Sequence, residues 1–121
     1  MATIVPENVT GMDGKGEGLM AFMGYNVRNN GPDDDARGLL LVKIYGEELV
    51  YNPGAINEAY ILSWGKPKSK KRFYRIADFL SGNSDSNEGE YVMPIHLERW
   101  DVDHDLFFEH YGPNHGVRLG E

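Results

Sequence analysis

The sequence predicts an all-β or α+β fold: a small single-domain antiparallel sheet, arranged as a sandwich or open barrel, with one or two short helices. Three observations predict it. Fifteen glycines in 121 residues imply many turns and little long helix, because glycine costs about 1 kcal/mol in a helix interior. Short apolar runs recur between turn signals. Several of those runs alternate with period two, the spacing of a half-buried strand.

Length and composition set the frame. A chain of 121 residues with 40% hydrophobic content fits one domain with one continuous core. Residues 1–18, rich in glycine after Pro6, read as a flexible N-terminal arm, with at most one short strand at Thr3 to Val5. Residues 19–121 form the β-rich domain.

Within that domain Leu19 to Val27 reads as a strand, with Leu19, Ala21, Met23, Tyr25 and Val27 on the core face. Asn29 to Asp35 is a loop by composition. Leu39 to Tyr45 alternates around Val42 and Ile44, and with Leu49 to Tyr51 it reads as a hairpin. Asn52-Pro53-Gly54 is a turn, because proline pre-sets φ and glycine accepts positive φ. Glu58 to Trp64 follows as a strand.

Arg72 to Leu80 fits two readings: Phe73, Ile76, Ala77 and Leu80 at i, i+3, i+4 and i+7 make a helical stripe, which favours a short helix or turn-like segment, and a strand with Tyr74, Ile76 and Leu80 on one face is the alternative. Ser81 to Glu90 is polar throughout and reads as a mobile loop. Tyr91 to Trp100 alternates, so it reads as a strand; Pro94, which lacks an N–H, puts it at a sheet edge. Asp101 is placed to N-cap a last helix over Val102 to Tyr111, stopped by Gly112 and Pro113.

The chain has no cysteine, which excludes disulfides, thiolate metal sites and cysteine nucleophiles. Met1 to Pro6 lacks the charged start and apolar run of a secretory signal, so the expected compartment is the cytosol. The net charge of −7 works against binding of long nucleic acid or an anionic membrane by the surface as a whole.

Against that acidic background stands WGKPKSKKRFYR. Lys66, Lys68, Lys70, Lys71, Arg72 and Arg75 are six of the chain's twelve Lys plus Arg residues within ten positions. Cations beside aromatic rings can hold a phosphate by charge and a base or sugar by stacking. The expected ligand site is therefore Trp64, Lys68, Lys70, Lys71, Arg72, Tyr74 and Arg75, taking a small phosphate-bearing ligand; a solvated basic turn is the plain alternative. The run could equally pair with an acidic loop of a second copy in a homo-oligomer. A second surface is Asp33, Asp34 and Asp35, three acids able to mimic nucleic-acid phosphates for a basic protein partner.

Catalytic signals are weak. His96, His104 and His110, with Asp101 or Glu109, are chemically suited to a divalent metal, and a metal-dependent hydrolase is the enzyme alternative. Their spacing matches no zinc-binding pattern, and Asp101, Asp103 and Asp105 begin a calcium loop without its glycine or terminal glutamate. No serine sits in a G-x-S-x-G elbow, and Gly14, Gly16 and Gly18 lack the strand and helix of a dinucleotide fingerprint. The sequence-level expectation is thus a non-enzymatic binding or interaction module without a cofactor, such as an accessory or viral inhibitor protein.

Overall fold

The computed structural model of the chain describes residues 2–11, 18–86 and 94–120. It is 55% helix and 6% strand, which overturns the β-rich expectation. The elements run β1 (Ala2–Ile4), α1 (Leu19–Phe22), α2 (Asp34–Gly46), β2 (Glu48–Val50), α3 (Glu58–Leu62), α4 (Lys70–Ser86) and α5 (Pro94–Tyr111), with a closing 3-10 turn at Gly112–His115. The only sheet among the described residues is the pair β1 and β2. It is parallel, not antiparallel: Ala2, Thr3 and Ile4 face Glu48, Leu49 and Val50. Such a pair needs a long crossover, and α1 and α2 lie within it.

Each misread strand has a local cause. At Leu19 to Val27 the chain makes one helical turn, then Gly24 takes φ +96°. The Tyr25 N–H donates to Met20 O and the Gly24 N–H to Ala21 O, a Schellman closure that only a left-handed residue permits. The expected hairpin arm at Leu39 to Tyr45 lies inside α2. Asp33 caps that helix through Oδ1, accepting from the Ala36 N–H at 2.8 Å, and Asp34 and Asp35 complement its N-terminal dipole. Its buried stripe is Arg37, Leu41, Ile44 and Tyr45; an arginine in the stripe masks the helical period.

Glu58 to Trp64 is α3 and its terminal turn, not a strand. Tyr91 to Trp100 is not an edge strand where it is described: from Pro94 it is helix, with proline in the first turn, where a missing N–H costs nothing. Tyr91 to Met93 lie outside the described residues. Asp101 is therefore an exposed mid-helix residue and not a cap. Ser81 to Ser86 extend α4, and the remainder of the expected polar loop, Asn87 to Glu90, is outside the described residues.

Other expectations hold. Asn52 O accepts from the Ala55 N–H at 3.0 Å across Pro53 and Gly54, whose φ is +80°, a type II turn. Phe73, Ile76, Ala77 and Leu80 are all buried on α4. By contrast, the described part of the expected flexible arm is built into the fold: Ala2–Ile4 is β1, Val5 and Val9 belong to the core, and the Asn57 side-chain amide donates to Pro6 O and Val9 O.

The core lies where α4 packs along α5, with α2 against both. Phe73 stacks on Phe107 at 5.4 Å and meets Phe108 edge-on at 5.1 Å. Tyr45 closes the cluster against Phe107 and Tyr111. Beside it Asp103 accepts hydrogen bonds from the Tyr25 hydroxyl at 2.6 Å and from Arg37 Nε at 2.7 Å. Arg37 also pairs with Asp34 and donates to Pro32 O, so this buried cation is fully engaged. No helix among the described residues is long and apolar enough to cross a membrane.

Candidate ligand-binding groove

The basic segment enters α4 through a tight loop. Gly65 takes φ +68°, and a Cβ there would lie 2.9 Å from Ser69 Oγ and Lys71 Cβ. Lys68 is itself left-handed at φ 60°, an uncommon state for a side-chain-bearing residue. Ser69 then caps α4: its Oγ accepts from the Arg72 N–H at 3.0 Å and its carbonyl from the Phe73 N–H. The first turn that follows is Lys70, Lys71 and Arg72, the wrong sign for the positive end of a helix dipole.

The helix scatters these cations. Arg72 turns inward and is 1% exposed. Its Nε donates to Trp64 O, Nη1 to Ile44 O and Glu47 O, and Nη2 to Gly65 O, all at 2.7 to 2.9 Å. Those carbonyls end α2 and the turn after α3, where no intrahelical donor remains, so Arg72 is a buried C-terminal cap for two elements. Burial lowers its pKa and the Glu47 charge counters that. Arg75 lies over the Trp64 ring at 4.5 Å and the Tyr60 ring at 5.5 Å. Trp64 is buried beneath it, and its indole N–H has no acceptor among the described residues. Lys70 leans towards Tyr74, 6.0 Å from the ring centre. The Lys68 side chain runs past Gly46, at the negative C-terminal end of α2.

Lys66 and Lys71 remain. Both line an open groove of about 550 Å³ whose walls include Leu49, Tyr51, Ile61 and Leu62, with Glu48 and Ser69 at the margin. Among the described residues no carboxylate stands within ion-pair distance of Lys66, Lys68, Lys70 or Lys71. Of the seven residues expected from the sequence, Lys71 and Arg72 line this groove, and Arg72 does so with its guanidinium already bonded. Lys68, Lys70, Tyr74 and Arg75 point to other neighbours. Sequence reasoning missed the apolar wall from β2 and α3. Its signal was present in Leu49, Tyr51, Ile61 and Leu62, taken there as strand residues.

The acidic trio is also divided. Asp33 is the α2 cap and Asp34 the partner of Arg37, which leaves Asp35 without a side-chain bond among the described residues. The histidines do not converge. His104 Nδ1 lies 3.0 Å from Asp105, His115 Nε2 lies 2.7 Å from the Tyr45 hydroxyl, and His110 lines a groove on another face. Among the described residues no three metal-ligating side chains come together. Compared with known protein families, curated proteins and solved structures, the chain matches none.

Proposed function

We propose that the protein is a non-enzymatic binding module that takes a small phosphate-bearing ligand in the groove between β2, α3 and the start of α4. One observation carries this reading: Lys66 and Lys71, free of carboxylate partners, stand at the rim of an apolar groove beside the N-terminus of α4. Three cations in the first turn of a helix repel its dipole and each other, and a bound anion relieves both. The phosphate sits between the two ammonium groups, and the apolar body of the ligand lies on Leu49, Tyr51, Ile61 and Leu62. Glu48 across the rim selects against a ligand carrying anions at both ends.

Thermal melting with inorganic phosphate, pyrophosphate and a panel of nucleoside phosphates tests it. At about 100 times its Kd, a ligand stabilises the fold by about 2.7 kcal/mol. At least one panel member is expected to raise the melting temperature, less so in high salt. Lys66→Ala with Lys71→Ala should abolish the rise, while Lys68→Ala leaves it. A flat panel, or a rise that survives loss of both groove lysines, refutes the site.

A further inference from the structure

A second groove, about 570 Å³, runs between α2 and the C-terminal half of α5, away from the basic loop. Its depth is lined by Leu41, Phe107 and Tyr111, and its flanks expose Leu39 (72%), Val42 (46%) and Leu106 (62%). Single exposed apolar side chains are ordinary, but three converging on one groove form a patch that water covers poorly. Its lining carboxylates outnumber its one basic side chain, His110. Asp34 and Asp35 line it from α2, Asp103 lines it from α5, and no lysine or arginine is among its lining residues. Arg37, beneath the lining, is locked to Asp103 and Asp34. Asp101 to Tyr111 contains no lysine or arginine at all.

We propose that this groove seats a cationic amphipathic helix of a partner protein. From Asp35 to Val42 α2 rises about 10.5 Å, the span of helical anchors at i, i+3 or i+4, and i+7. Such a helix places apolar anchors on Leu39, Val42 and Leu106, and a Lys or Arg on its flank meets Asp35. A second copy of this chain fits worse, because a two-fold contact sets the same acids against themselves. The acids equally repel an anionic lipid surface. The inference uses none of the groove lysines and stands apart from the ligand reading above.

The probe is a fluorescein-labelled Leu/Lys amphipathic peptide of about 16 residues, with its leucines in one helical stripe. Controls are a scramble of the same composition and a Leu/Glu counterpart. Anisotropy with the whole protein should show saturable binding of the Leu/Lys peptide and neither control. Leu106→Lys should weaken binding by at least about tenfold. Asp35→Lys should weaken it more than Glu48→Lys, which changes net charge equally but lies in the other groove. Leu39→Gln, at the most exposed wall position, gives the same answer should Leu106→Lys lower stability. The proposal fails if the scramble binds as well, if both wall variants are silent, or if Glu48→Lys matches Asp35→Lys. It also fails if native mass spectrometry finds a dimer that Leu106→Lys dissolves, which would make a second copy the occupant.

Discussion

Replacing Arg72 by methionine should cost this protein more stability than any surface substitution. Methionine keeps most of the buried aliphatic volume, so the loss isolates the guanidinium. Four backbone carbonyls then lose their donor: those of Ile44, Glu47 and Trp64 in buried bonds, and that of Gly65 in a part-buried one. A stranded buried carbonyl costs about 1 kcal/mol or more, so four put the loss near 4 kcal/mol. Relief from burying a charge offsets part of this, and a range of about 3–5 kcal/mol is expected. For a chain of this length that corresponds to a fall in melting temperature of roughly 15 °C. Urea unfolding followed by circular dichroism at 222 nm measures it, with an unchanged denaturant slope showing that the native and unfolded states are otherwise alike. Arg72→Lys should recover less than half, since an ammonium has three donors and cannot span the fork. A methionine variant that melts within about 4 °C of the parent would refute the capping role.

Two further outcomes follow from the buried polar cluster. Asp103→Ala strands the Arg37 guanidinium and the Tyr25 hydroxyl together, and should cost about 3–5 kcal/mol, whereas Arg37→Met with Asp103→Leu should cost well under the sum of the single changes; chemical denaturation of the double-mutant cycle reads both. Burial first, then the hydrogen bond and charge of Asp103, push the Tyr25 pKa far above its ordinary value near 10. Its folded-state pKa exceeds its unfolded one, so its contribution is complete below about pH 10 and declines above it, by about 1.4 kcal/mol per pH unit. Burial raises Tyr45 and Tyr111 as well, so stability measured from pH 9 to 11.5 should fall at least that steeply, and Tyr25→Phe should make the fall shallower; an equally steep fall in the variant would show that other groups govern the alkaline limb.

The helices were hidden by residues that serve two periods at once. Leu39 to Ile44 is apolar on nearly every side, so its alternation around Val42 and Ile44 fits a strand as well as it fits α2. The decisive signals lay at the end: Asp33 as cap, two acids after it and Lys43 near the close. Glycine content misled in the same way. Gly24 and Gly65 are in left-handed conformations at the ends of helical turns, and so punctuate helices more than they link strands. Pro94 supports either an edge strand or a helix start, and only α5 packing against α4 separates them. Where one period dominated, as at Phe73, Ile76, Ala77 and Leu80, the helix was legible.

The candidate site was half legible for a related reason. Density of charge along a chain becomes a local field only if the backbone keeps neighbours on one side. A helix turns each residue by about 100° from the last, so Lys70, Lys71, Arg72 and Arg75 diverge to Tyr74, the groove, the interior and Trp64. Six cations in ten positions thereby leave two, Lys66 and Lys71, free to face the groove, which Glu48 also lines. An anion held there releases few counterions on binding, so its salt dependence should be shallow, the slope of about two contacts and not of six. Conversely, the acids that line the α2–α5 groove come from two elements distant in sequence, Asp34 and Asp35 on one and Asp103 on the other. The run Asp33 to Asp35 announces the first two, and only folding brings Asp103 beside them.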